Sequence, residues 1–157
     1  MKKFAIFAIG LTFSGCVINF HKELPTKGVI DVKVHYVYPG KNELNTFEGY
    51  YKKEIGTGHY AQTKIELDPG QQLLILNKAL VYHFYQMPDT FYHKGETLTS
   101  PLQYLRIQAD TLDRTVYWQG SVKDLSLKSY HLPELLEYID SIVKSTDEYQ
   151  GLPKTKD

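Results

Sequence analysis

Six histidines are the residues of this chain best suited to acid–base or metal chemistry. They are spread along the whole sequence, at His21, His35, His59, His83, His93 and His131. None of them lies at the close spacing by which a zinc site is recognised in a sequence. His35 and His59 could meet across a sheet and bind a metal weakly, although solvated histidines on a polar face are the simpler interpretation. The sequence therefore predicts no metal site and no cofactor.

No residue pattern typical of an enzyme stands out along the chain. There is no serine in a Gly-x-Ser-x-Gly elbow, no His-Glu-x-x-His pair and no glycine loop that precedes a helix and so could hold phosphate. Asp110 and Asp113 flank a predicted hairpin turn, which does not supply the cleft that a pair of glycosidase carboxylates needs. We therefore expect a protein that is not an enzyme. A histidine and a carboxylate in a deep pocket would favour the opposite interpretation.

Tyrosine is the unusual feature of the composition, with thirteen residues. An aromatic ring buries a large area while its hydroxyl stays available for hydrogen bonding, which suits recognition of proteins or sugars. Tyr50 and Tyr51 are adjacent in a predicted strand, so they point to opposite faces and at least one reaches the solvated side. Phe91 and Tyr92 form a second patch in a predicted polar loop. These four are the candidate ligand-binding residues, and packing of the tyrosines in the core or at a sheet edge is the alternative.

The first sixteen residues carry chemistry of another kind. Lys2 and Lys3 precede an apolar run, Phe4 to Phe13, that is long enough for a signal-peptide core and too short to span a bilayer. Two small residues and then Cys16, the only cysteine of the chain, follow this run. The segment 13–16, Phe-Ser-Gly-Cys, resembles the lipobox of bacterial lipoproteins. An ordinary secretory signal peptide is the alternative interpretation.

The resemblance to lipoproteins implies cleavage before Cys16 and fatty acylation of its thiol. We then expect residues 1–15 to be a signal peptide, residues 16–27 a lipidated tether, and the protein to be anchored in the bacterial outer membrane, on its periplasmic or surface side. Two or more acyl chains give stable attachment to a bilayer. Without Lys2 and Lys3 the chain has 16 basic and 18 acidic groups. This near-neutral balance argues against nucleic-acid binding.

The remaining sequence predicts one α+β domain over residues 28–150, followed by a flexible tail at 151–157. Alternation of apolar and polar residues predicts strands over 28–38, 45–55 and 59–67, and a hairpin of two further strands over 102–119. Apolar stripes at helical spacing predict a helix over 68–85 and a closing helix that begins at Pro133. In the first helix Asp68 and Gln71 are placed to form a capping box. The predicted architecture is an antiparallel sheet of about five strands that packs one face on two helices and leaves the other face wet.

The second half of the chain shows a further resemblance, which rests on the order of its elements. A helix over 68–85 runs into the apolar stop Phe84-Tyr85-Gln86-Met87-Pro88, a hairpin spans 102–118, and a helix spans 132–144. This order resembles emfourin, a family of small bacterial inhibitors of thermolysin-type metalloproteases. The resemblance implies a non-catalytic domain that binds a protein partner through its loops, and no inhibitory residue can be assigned from it.

Together these observations predict a cell-envelope lipoprotein with a non-catalytic binding domain, an inhibitor or accessory subunit of another envelope protein. The alternative is a lipoprotein that binds carbohydrate or peptidoglycan through a tyrosine-rich sheet face.

Overall fold

The structure, a computed structural model, describes residues 31–37, 42–91, 102–110, 112–120 and 131–155. Cys16, the predicted signal peptide at 1–15, the predicted tether at 16–27 and Tyr92 lie outside these ranges. The strands are β1 (Val32–Val37), β2 (Glu43–Asn45), β3 (Tyr50–Gly56), β4 (His59–Lys64), β5 (Thr90–Phe91), β6 (Gln103–Ala109) and β7 (Leu112–Trp118). The helices are α1 (Pro69–Val81), α2 (Leu132–Lys144) and the one-turn α3 (Asp147–Gln150), with a 3₁₀ turn at Phe84–Gln86.

All seven described strands form one sheet in the order β4-β3-β2-β1-β6-β7-β5. Every neighbouring pair is antiparallel except β5 and β7, which are parallel. The predicted α+β class and the antiparallel sheet are confirmed. The prediction of five strands and two helices is only roughly right, because the described residues hold seven strands and three helices.

One of the strands that the sequence did not predict results from a turn that the alternation of apolar and polar residues does not reveal. The stretch predicted as a single strand over 45–55 divides into β2 and β3 around a turn at residues 46–49. Asn45 makes this turn, since its Oδ1 accepts hydrogen bonds from the backbone N–H groups of Phe47 and Glu48, each at 3.1 Å. Gly49 completes it with a φ of +73°. Apolar and polar residues keep alternating through the turn, which explains why periodicity did not reveal it.

The other additions are short elements. β5 lies in a stretch predicted as a polar loop, where the backbone N–H of Tyr117 donates to the carbonyl of Asp89 at 2.8 Å. Thr146 caps α3, because its hydroxyl accepts from the backbone N–H of Tyr149 at 3.3 Å. Neither element is long enough to show a period in the sequence.

α1 begins as predicted and ends early. Asp68 accepts from the backbone N–H of Gln71 at 2.9 Å, and the Gln71 side chain accepts from the Asp68 N–H at 3.0 Å, which completes the capping box. The helix ends at Val81, and His83 then takes a left-handed conformation with a φ of 53°. The predicted extension to residue 85 is a 3₁₀ turn instead.

The helices pack on one face of the sheet, and the core lies between the two layers. The buried side chains of β1, β3, β6 and β7 all point to this face, and they include Val34, Tyr36, Tyr51, Ile107 and Trp118. The apolar stripe of α2 is buried, namely Leu132, Leu135, Leu136, Ile139, Ile142 and Val143. On the same helix the carboxylate of Asp140 accepts a hydrogen bond from the buried Tyr36 at 3.1 Å. At the end of the chain Leu152 packs against this core.

Candidate functional site

The structure places the candidate binding residues in three different environments. Tyr50 lies half-buried on the sheet face opposite the helices, which we call the open face. Its neighbour Tyr51 is fully buried in the core, where its ring packs against the ring of Tyr149 with centroids 5.4 Å apart. Phe91 is 8% exposed in β5. Tyr50 is therefore the described candidate that can meet a ligand, and the expectation that Tyr50 and Tyr51 point to opposite faces is confirmed.

Tyr50 belongs to a chain of polar contacts across the open face, which we call the open-face cluster. Its phenol donates a hydrogen bond to Oε1 of Glu43 at 2.5 Å. The same carboxylate oxygen lies 3.2 Å from Nε2 of His35. The Tyr104 hydroxyl lies 2.8 Å from that imidazole nitrogen. Tyr50, Glu43, His35 and Tyr104 thus form a continuous set of titratable groups contributed by four strands.

The sheet register explains why these side chains meet. His35 of β1 pairs with Asn45 of β2 on one side and with Arg106 of β6 on the other. Glu43 and Tyr104 are each two residues from those partners, so they occupy the diagonal positions that long side chains reach across a sheet. The order β3-β2-β1-β6 then brings the set together from residues as much as 69 positions apart.

The imidazole of His35 has two possible partners for one nitrogen. A protonated Nε2 donates to Glu43, whereas an unprotonated Nε2 accepts the hydroxyl proton of Tyr104. The rings of His35 and Tyr104 also meet edge to face, with centroids 4.9 Å apart. The ring proton of His35 can therefore lie on either nitrogen while the backbone of the open-face cluster stays in place.

Both phenols of the cluster resist ionisation. The hydrogen bond to Glu43 raises the pKa of Tyr50 above its usual value of 10, and burial acts in the same direction. Burial is the main cause of the raised pKa of Tyr104, and the negative charge of Glu43 adds to it. The two phenols are neutral near pH 7, so each offers an O–H to a neighbour or to a ligand.

Cations on the open face are already engaged with protein groups. The guanidinium of Arg106 binds both carboxylate oxygens of Asp113, at 2.9 and 2.6 Å, and lies 4.6 Å from the ring centroid of Phe47. This ion pair raises the pKa of Arg106 and lowers that of Asp113. At the other end of the face the Lys52 ammonium lies 4.4 Å from the ring centroid of Tyr60. Arg106 thus contacts Asp113 and Phe47, and Lys52 lies over a ring of the neighbouring strand β4.

A groove of about 780 Å³ adjoins the open-face cluster at Tyr50. It forms at the turn between β2 and β3, between the first residues of β1 and the segment that follows β4. Lys33, Phe47, Tyr50 and Lys64 contribute to its walls. A groove of this volume is within the range of small-molecule and peptide sites.

The other metal-binding and carboxylate arrangements considered from the sequence do not form among the described residues. β2 and β3 lie between the strands that carry His35 and His59, so these histidines do not meet across the sheet. Within the described ranges no group of three or more histidine, cysteine, aspartate or glutamate side chains is placed to hold a metal ion. Asp110 occupies the β6–β7 turn with a φ of 50°, while Asp113 pairs with Arg106. None of the described helices has the length and apolar character needed to cross a membrane.

Comparison with known protein families, with characterised proteins and with solved structures found no significant match to this chain.

Sequence reasoning found one member of the open-face cluster as a binding candidate and missed the other three. His35 was assigned to a polar strand face, which is correct, but the partner suggested for it was His59 and not Glu43 or Tyr104. Glu43 precedes the residue at which the second strand was predicted to begin. Tyr104 lies in the predicted hairpin, at a position that alternates with Leu105. Alternation placed His35 and Tyr104 on the wet face, yet it carried no information about which residues are their neighbours there.

Proposed function

We propose that this chain is a lipid-anchored protein of the bacterial cell envelope whose domain binds another envelope protein without catalysing a reaction. The lipobox-like segment that ends in Cys16 supports the anchor. The observation that carries the binding function is the open-face cluster, in which neutral phenols, a carboxylate and an imidazole lie side by side on a sheet face that no described helix covers. Such a mixture of aromatic surface and hydrogen-bonding groups is typical of protein recognition sites.

The geometry of the cluster favours binding over catalysis. Among the described residues, His35 and Glu43 lie on a sheet face rather than in a deep pocket, and their side chains keep 21% and 23% of their surface exposed. An open face gives a reacting group little protection from water, whereas catalytic acids and bases gain strength from exclusion of water. The same openness lets a broad protein surface reach several of these side chains at once.

Site-specific photocrosslinking tests the proposal on the intact, acylated protein. A benzophenone amino acid at Gln108, on the open face of β6, is expected to capture a defined envelope protein in cells. The same probe at Glu137, an exposed position on α2, serves as the matched control. Capture at Gln108 that is lost in Glu43→Gln supports the proposal. Equal capture at both positions, or hydrolysis of an envelope polymer that depends on a single carboxylate, would overturn it.

The anchor is tested separately by mass. Intact-mass analysis of native material is expected to show cleavage before Cys16 and the added mass of acyl chains. Retention of residues 1–15 or an unmodified thiol would remove the basis for an envelope location.

Inhibition of a thermolysin-type metalloprotease is the specific form of this function that the resemblance to emfourin supports. Titration of thermolysin with the purified protein is expected to reduce peptide hydrolysis in proportion to the protein added. Full protease activity at a tenfold molar excess of the protein would argue against this form and leave the binding function open.

Binding of carbohydrate or peptidoglycan is the second candidate. The groove beside Tyr50 favours it, because two aromatic residues, Phe47 and Tyr50, line the same groove. Glycan-array binding that disappears in Tyr50→Ala would support this function. Tyr51→Ala is not a useful companion variant, since Tyr51 is buried and its truncation would leave a cavity in the core.

A further inference from the structure

β4 is the outermost strand on one side of the sheet. It pairs with β3 on one side, and within the described residues no strand pairs with its other side. Its irregularity is confined to the start, where the register shifts between Glu54 and Gly56 of β3. From Tyr60 to Lys64 the strand is regular and contains no proline. The opposite edge of the sheet, β5, has only two residues, so β4 is the edge long enough to accept another strand.

The register shows which backbone groups of β4 face outward. The N–H of Ile65 donates to the carbonyl of Gly49 at 3.0 Å, and these two residues continue the Tyr50–Lys64 pairing. Hydrogen-bonded pairs alternate along an antiparallel ladder, so Thr63 and Ala61 also direct their backbone groups to β3. The N–H and carbonyl groups of Tyr60, Gln62 and Lys64 therefore point away from the sheet. No described residue bonds them there.

The charges in the paired rows of this edge favour one kind of strand. Lys64 lies on β4 itself, and Lys52 and Lys53 lie on β3 opposite Gln62 and Ala61. Glu54 is the one carboxylate in the rows from residue 60 to residue 64, whereas Glu48, Glu66 and Glu148 line the adjoining groove together with Lys64. Lysines on an exposed edge disfavour pairing with a second copy of the same edge, because they would face like charges. They attract a strand that carries carboxylates.

We propose that the free edge of β4 binds an extended acidic segment of a partner protein as an eighth strand of the sheet. Main-chain hydrogen bonds to Tyr60, Gln62 and Lys64 provide the attachment, and the lysines select the acidic sequence. The inference rests on the proposed binding function for the existence of a protein partner, and it is independent of the lipid anchor.

Peptides of known sequence test the proposal on the purified full chain. The probe is a nine-residue peptide that alternates valine and glutamate, and its control has lysine in place of glutamate. We expect the acidic peptide to bind at least tenfold more tightly, with amide shift changes in nuclear magnetic resonance spectra centred on β4. Absence of binding, or equal binding of the two peptides, would overturn the proposal.

Proline at position 62 separates backbone attachment from side-chain contact. The Gln62 N–H points outward, so Gln62→Pro removes a donor for the partner without removing a bond to β3. We expect this variant to weaken binding of the acidic peptide tenfold or more, and Gln62→Ala to stay within twofold of the wild type. Equal affinity in the wild type and Gln62→Pro would overturn the proposal.

Two further measurements keep the test decisive. If Gln62→Pro does not fold, N-methylation of the peptide amides that face β4 is expected to abolish binding to the wild type, and methylation of the other amides to preserve it. Loss of peptide binding in Glu43→Gln with full binding in Gln62→Pro would overturn the edge proposal while supporting the open face as the binding site. Self-association that Gln62→Pro abolishes would assign the edge to a second copy instead.

Discussion

The side chain of Gln72 on α1 accepts a hydrogen bond from the backbone N–H of Val32 at 3.0 Å, forty residues earlier in the chain. Its amide nitrogen donates to the carbonyl of Leu67 at 2.8 Å. One side-chain amide thus joins the first residue of β1 to the segment after β4. This side chain makes the hydrogen bonds that a backbone peptide group would make if the β2–β3 hairpin extended between these two segments. Gln72 also lines the groove.

Removing the Gln72 amide is expected to destabilise the fold. Gln72→Ala leaves the Val32 N–H and the Leu67 carbonyl without this partner, which corresponds to a loss of about 1–3 kcal/mol in the free energy of unfolding. Urea denaturation followed by circular dichroism measures it. Asn77→Ala, on the same helix and without a described hydrogen bond, should change stability by about 0.5 kcal/mol or less. A similar loss in both variants would contradict the bridging role.

The capping box of α1 gives a second prediction. Asp68→Ala removes the acceptor for the Gln71 N–H and is expected to lower the free energy of unfolding by about 1 kcal/mol. Glu66→Ala is the matched control, since this exposed carboxylate makes no described hydrogen bond or ion pair. Both are measured by the same urea titration. If the two variants have equal midpoints, the cap does not stabilise the helix.

The hydroxyl of Tyr85 in the 3₁₀ turn is buried and has no hydrogen-bond partner among the described residues. A buried hydroxyl without a partner costs free energy, so Tyr85→Phe is expected to stabilise the protein by about 1 kcal/mol near neutral pH. Thermal unfolding of the two proteins checks this. A lower melting temperature for the phenylalanine variant would indicate that the hydroxyl has a favourable contact.

The same phenol makes stability depend on alkaline pH. Burial, with a smaller effect of Asp113, raises the pKa of Tyr85 to about 12 from its usual value of 10. The folded protein therefore holds this proton more tightly than the unfolded chain. The resulting stabilisation is complete below pH 10 and is lost as the pH rises toward 12. We expect the advantage of Tyr85→Phe to grow over that interval, and parallel stability curves for the two proteins would contradict the assignment.

The contact between Glu43 and Tyr50 is open to direct titration. In Glu43→Gln the carboxylate that raises the pKa of Tyr50 is gone, so that pKa should fall toward 10. Carbon-13 resonances of tyrosine Cζ, followed against pH, report the change. Glu54→Gln, which alters a carboxylate on the same strand, should leave the Tyr50 titration as it is in the wild type. An unchanged titration in Glu43→Gln would show that the 2.5 Å hydrogen bond does not persist in solution.

Local pattern was sufficient for the long elements of this fold. Alternation in β1 and in the β6–β7 hairpin, and the stripe of α2, are signals repeated over six or more residues. The start of α1 was predicted to the residue, because a capping box is made by two side chains only three positions apart. These features depend on neighbours in the chain, which is why a single sequence reveals them.

The local sequence pattern did not predict two elements whose existence depends on particular contacts and not on periodicity. Asn45 turns the chain by binding the backbone two and three residues ahead, and the alternation around it still resembles one strand. β5 exists because it pairs with β7, about 27 residues away, and its own two residues carry no signal.

The amino-acid sequence by itself determined the fold class, most of the core and which side chains face water, because each of these follows from the period of a local pattern. Only the tertiary structure decided that His35, Glu43, Tyr50 and Tyr104 are neighbours, that Gln72 joins Val32 to Leu67, and that β4 lies at the edge. The physical reason is that strand order and register set contacts across the sheet, and both arise from the packing of distant segments. Alternation along a strand indicates which face of the sheet a residue occupies, whereas the order and register of the assembled strands determine which residues are its neighbours on that face.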